Sequence, residues 1–81
     1  MSFLNSISVY PNPANESFVI NTNKLDDVFL TITNTLGQQI IANKKLEKSM
    51  SIIQTNNLKP GVYFLSFTLF NEQKTIRLIV K

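Results

Sequence analysis

Apolar residues recur along this chain with a period of two. Val28, Leu30 and Ile32 alternate with Phe29, Thr31 and Thr33. Tyr63, Leu65, Phe67 and Leu69 alternate with Phe64, Ser66 and Thr68, and Ile76, Leu78 and Val80 with Thr75, Arg77 and Ile79. Successive side chains on a strand point to opposite faces, so each segment has one apolar face and reads as a half-buried strand. Val, Ile, Thr, Phe and Tyr fill these segments, as strands prefer. The pattern predicts seven strands, at residues 6–10, 16–21, 28–34, 38–43, 49–54, 62–70 and 74–80. Turn residues separate them at short intervals. Leu36-Gly37 makes the tight connection after the third strand, where glycine can take positive φ. Asn71-Glu72-Gln73 joins the last two, with Asn71 the residue suited to the left-handed region. Between Ala42 and Met50 the spacing of Leu46 and Met50 would allow one helical turn, but the lysines there favour an edge or a loop. Seven short antiparallel strands in a chain of this length give an all-β fold, an immunoglobulin-like β-sandwich.

Two local patterns sharpen that expectation. Tyr10-Pro11-Asn12-Pro13 follows the first strand. Each proline fixes its own φ, lacks an N–H and restricts the residue before it, which predicts a stiff, extended exit. Leu58-Lys59-Pro60-Gly61-Val62-Tyr63 leads into the sixth strand and has the order of a tyrosine corner. Tyr63 is therefore expected to be buried, with its hydroxyl near the backbone of residues 57–60.

Composition narrows the chemistry. Eighty-one residues make one small domain, taken as residues 6–81 after a residual linker at 1–5. The opening reads as an excised N-terminus and the closing strand as a true C-terminus. There is no cysteine to staple the fold and no histidine to serve as general base or metal ligand. No serine can find a histidine partner, and two glycines are too few for a phosphate-cradling loop. Asp26-Asp27 reads as a turn rather than half a calcium site, because no acidic loop surrounds it. The net charge of +3 comes from seven lysines and one arginine against five acids, too sparse for a nucleic-acid stripe. Lys44, Lys45 and Lys48 cluster without interleaved aromatics, as on a solvated edge. No apolar run approaches the length of a membrane span, so stable membrane insertion is not expected. The residues thus argue against an enzyme and for a domain that binds, spaces or is recognised, with no cofactor.

Four segments, taken in order, resemble a known family. They are Val9-Tyr10-Pro11-Asn12-Pro13, Leu36-Gly37-Gln38-Gln39-Ile40, Leu58-Lys59-Pro60-Gly61-Val62-Tyr63-Phe64 and the closing Lys74-Thr75-Ile76-Arg77-Leu78-Ile79-Val80-Lys81. Together they resemble the type A C-terminal sorting domain of the type IX secretion system of Bacteroidetes. The resemblance implies a signal domain behind an N-terminal cargo that passes through the periplasm. It further implies recognition by an outer-membrane translocon and its shuttle proteins, removal by a sortase-like peptidase, and a final place at the cell surface or outside. Two positions depart from the family's usual pattern: Asn34 stands where aspartate is common, and Asn71 takes the place of a glycine in the last hairpin.

On that resemblance Pro11, Pro13, Gly37, Pro60 and Gly61 shape the backbone, while Tyr10, Asn12, Leu58 and Tyr63 belong to the same structural motifs. Lys74, Arg77 and Lys81, on the outward face of the last strand or at its ends, are the candidates for contact with the translocon. The competing expectation is an adhesive or carbohydrate-binding immunoglobulin-like module. It would need a calcium site or an exposed aromatic platform, for which Phe64 and Phe70 on the outward face are the candidates.

Overall fold

The computed structural model describes residues 3–81. A short 3-10 turn, Phe3–Ser6, precedes seven strands: β1 (Ser8–Tyr10), β2 (Ser17–Asn21), β3 (Phe29–Asn34), β4 (Gln39–Lys45), β5 (Met50–Gln54), β6 (Gly61–Leu69) and β7 (Glu72–Val80). The strands form two sheets, one ordered β1-β2-β5 and the other β4-β3-β6-β7, and every strand pair is antiparallel. All seven expected strands are present, packed as a sandwich. No helical turn occurs between Ala42 and Met50; that stretch is β4, a loop and the start of β5.

The period-two pattern is the cause of the layering. Phe18 and Ile20 of β2 point inwards from the smaller sheet and meet Leu30, Ile32, Tyr63, Leu65, Phe67, Leu69, Leu78 and Val80 of the larger one. Their partners in the alternation stay half-buried or exposed on the outer faces. The core also takes in Leu4, which is fully buried ahead of the expected domain start at Ser6. A period-two reading cannot see it, because Leu4 sits on the 3-10 turn and its carbonyl accepts the Ile7 N–H at 3.1 Å.

Two buried threonines join β2 to β5 at opposite ends of that strand pair. Thr22 binds the Ser49 carbonyl through its own N–H, and Thr55 binds Glu16 through its N–H and Asn15 through its hydroxyl. Among the described residues every buried side-chain polar atom has a partner, as a small core without disulfides requires.

The tyrosine corner is present as expected. Tyr63 is 6% exposed, and its hydroxyl donates to the Lys59 carbonyl at 2.6 Å. Gly37 takes φ 82°, as the β3–β4 turn needs. Asn34 organises that turn by accepting N–H bonds from Leu36 and Gln38 at 2.9 and 3.0 Å. An aspartate in its place would accept the same two bonds.

The last hairpin differs from expectation. Leu69 pairs with Glu72, so the loop is only Phe70-Asn71, and β7 begins at Glu72 rather than Lys74. Phe70, with φ 53°, takes the left-handed conformation assigned to Asn71. The pairing register decides this: a two-residue turn needs positive φ at its first central position, and that position falls on Phe70.

Candidate recognition surface

The last strand and the segment that holds it form the candidate site. β7 lies at one margin of the larger sheet, paired on one side with β6. A sheet margin leaves a row of unpaired N–H and C=O groups. Over the C-terminal half of β7 this row is occupied by the segment after β1. The Ala14 N–H donates to the Ile79 carbonyl at 2.7 Å, and the Lys81 N–H donates to the Ala14 carbonyl at 2.9 Å. Ala14 and Val80 thereby form a single parallel bridge. One turn earlier, the Asn12 Nδ2 donates to the Arg77 carbonyl at 2.8 Å, and the Asn12 Oδ1 accepts the Ile79 N–H at 3.1 Å. A backbone carbonyl can only accept and an N–H can only donate, so the orientation of this amide is fixed by its partners.

The prolines explain why a side chain does this work. Pro11 and Pro13 have no N–H, so this stretch cannot pair with β7 as an ordinary strand. The Asn12 side chain supplies one donor and one acceptor in place of backbone groups. Residues 11–13 bend, with Tyr10–Pro11 and Asn12–Pro13 both cis, and carry the chain from β1 of the smaller sheet to the margin of β7 in the larger. The expected extended exit is therefore a sheet-to-sheet switch. Proline limits φ and the residue before it, but the isomer of each bond is not written in the residue types. The signal for Asn12 was visible all the same: it is a polar side chain held between two residues without N–H groups.

The three candidate contact residues do not form one patch. Arg77 is exposed on the outer face, opposite Phe64 of β6. Lys81 stands just past the end of β7, at the rim of an open depression of about 420 Å³ shared with Asn15, Glu16, Gln54 and Asn56. Lys74 has the parity of Ile76 and Leu78; it pairs with buried Phe67 and is half-buried near the start of β7. It lies on the opposite face of the strand from Arg77 and roughly 23 Å along the chain from Lys81.

Other candidates fall elsewhere. Phe64 is half-buried on the outer face, while Phe70 is 82% exposed at the hairpin tip, so the two share no platform. Lys44 and Lys45 lie on β4, at the other margin of the larger sheet, and Lys48 follows in the loop. Asp27 takes φ 60° in the turn before β3 and pairs with Lys45 at 3.2 Å. The hydrogen bond to that carboxylate, then its charge, raise the Lys45 pKa above its ordinary value. The favourable effect is thus present below the ordinary lysine pKa and is lost as pH rises through the raised one. Among the described residues, no group of acidic side chains is placed to hold a metal ion.

The family model for secretion system C-terminal sorting domains matches residues 8–81, which takes in both β7 and the Pro11-Asn12-Pro13 switch that clamps it. The chain is also similar to the ulvan lyase NLR42 of Nonlabens ulvanivorans, 33% identical over 63 residues that make up 78% of this chain. A similar match, 33% identical over 76 residues and 93% of the chain, is to an endo-acting ulvan lyase of Formosa agariphila. The chain spans only 12% and 15% of the lengths of these two proteins. What is shared with them is therefore a small domain and not a whole enzyme. With the family's match running through all seven strands, the chain belongs to the secretion system C-terminal sorting domains, the non-catalytic export signals of the type IX system.

Proposed function

We propose that the type IX translocon reads this domain as a folded unit, through the outer face and the C-terminal end of β7. Arg77 and Lys81 make the charged contacts, and Lys74 guides encounter from the start of the same strand. The observation that carries this reading is the clamp: Asn12 and Ala14 hold Arg77, Ile79 and Lys81 by their backbones. The first and last of the family-like segments thereby meet at one place, and the side chains of Arg77 and Lys81 are presented in a fixed register. Exposed charges held in this way set orientation and encounter rate with a partner. The cargo then travels through the periplasm with the signal folded behind it. A sortase-like peptidase removes the domain after export, and the cargo is released or stays at the surface.

Deleting the last five residues is a poor test of this reading. It removes Leu78 and Val80 from the core together with the backbone that Asn12 and Ala14 bind. Charge reversal keeps the fold. Arg77→Glu and Lys81→Glu, alone and combined, are expected to leave the melting temperature within a few degrees and to cut export of a fused reporter several-fold. Export at the unsubstituted rate from the folded double variant would refute the assignment of these residues.

A further inference from the structure

Phe70 is costly to the domain in two ways. Its φ of 53° lies in the left-handed region, which glycine or asparagine enters readily and a bulky residue does not. Its side chain is 82% exposed, so burial returns little to offset that conformation. Beside it lies a shallow depression of about 340 Å³, lined by Leu25, Asp26, Asp27, Leu69 and Phe70 itself. Leu69 is buried and Leu25 half-buried, so the floor of the depression is apolar. Its rim is acidic. Asp27 is engaged with Lys45, while Asp26 is exposed and makes no ion pair among the described residues. The hairpin tip stands at the start of β7, roughly 30 Å from the Lys81 end.

A strained, exposed aromatic beside an apolar floor has the form of an interaction anchor. We infer that Phe70 and the Leu25–Asp26 depression form a second docking surface. Its partner is a protein segment that presents an apolar side chain or pocket flanked by lysine or arginine. The Asp26 carboxylate, unpaired among the described residues, selects this partner over an anionic lipid surface, which it would repel. This surface rests on the export role proposed above and adds a contact at the end of β7 away from Lys81.

The test compares export of a reporter fused to residues 1–81 with the melting temperature of the isolated fusion. Phe70→Gly and Phe70→Asn are expected to melt at the unsubstituted temperature or a few degrees above it, because they relieve the backbone. Their export is expected to fall at least about tenfold, while Phe70→Tyr exports within about twofold of the original. Asp26→Lys is expected to lower export several-fold without changing the melting temperature. Undiminished export from Phe70→Gly overturns the inference. So does a lowered melting temperature in that variant, which makes Phe70 a structural residue. Phe70-dependent binding to phosphatidylglycerol vesicles, or a Phe70-dependent dimer in sedimentation, overturns it in favour of lipid or a second copy. A parent fusion that is not exported at all refutes the export role, and this surface with it; an exported parent with an equally exported Phe70→Gly refutes the second surface alone.

Discussion

Asn12 is the residue whose role changes most between sequence and structure. It makes two bonds to a strand 65 and 67 residues away in the chain. A hydrogen bond of this kind contributes about 1 kcal/mol net, less where water can replace it. Asn12→Ala is therefore expected to cost about 1–2 kcal/mol by urea unfolding, or a fall in melting temperature of roughly 4–8 °C per kcal/mol in a domain this small. Asn12→Asp keeps the acceptor for Ile79 but turns an oxygen towards the Arg77 carbonyl, and is expected to lose at least as much. An unchanged midpoint in both variants would remove the clamp from the account. Tyr63→Phe deletes only the hydroxyl that donates to Lys59 and is expected to cost about 1 kcal/mol in the same assay. Tyr63 was legible from the residues because the order Leu58-Lys59-Pro60-Gly61-Val62-Tyr63 specifies a local geometry, and its partner lies four residues away. The partner of Asn12 lies across the whole fold, where no local pattern reaches.

Among the elements, β6 and β7 were legible nearly residue by residue, because a strand buried on one face prints its alternation directly on the sequence. β4 was placed too, at 38–43 against the observed Gln39–Lys45, but its irregular end was not, and its burial pattern shows why. Only Ile41 among its seven residues is even half-buried, so there is little alternation to read. Its pairing with β3 shifts register between Leu30 and Ile32 and again between Ile32 and Thr33. At that irregularity Asn43 takes φ 50°, and its N–H donates to the Thr31 hydroxyl. The register pairs Lys44 with buried Leu30, so a lysine stands on the core-facing side at the sheet margin. Irregular pairing and inward-facing charge are two ways of keeping a free edge from recruiting another strand. Lys44→Ile is expected to turn a monomer into dimers and larger species in sedimentation at high concentration. A variant that stays monomeric would mean that the lysine is not what protects this margin. The hairpin between β6 and β7 was misread for a different reason. The positive φ follows the pairing register, which places it on Phe70 although Asn71 has the higher intrinsic preference.

At the scale of the whole molecule the fold joins its two ends. The segment after β1 crosses from the smaller sheet and completes the margin of β7, so residues 12–14 and 77–81 are one structural unit. The nine-residue pairing with β6 sets the register of β7, and the start of the domain covers its other margin near the C-terminal end. On the proposal that the translocon reads the outer face and end of β7, a domain that has not folded would lack the surface to be read. The fold class could be read from the period-two alternation, and the family from four spaced segments. The joining of the first segment to the last could not, because it depends on a bend that proline permits but does not dictate.

The most direct measurement of the central claim is export of a reporter that the host otherwise retains in its periplasm. Residues 1–81 are fused behind the reporter in a bacterium with a type IX system and in an otherwise identical strain lacking the translocon. The account predicts reporter at the surface or in the medium only when both the tail and the translocon are present. Reporter that stays inside despite the tail, or that leaves equally well without the translocon, would contradict it.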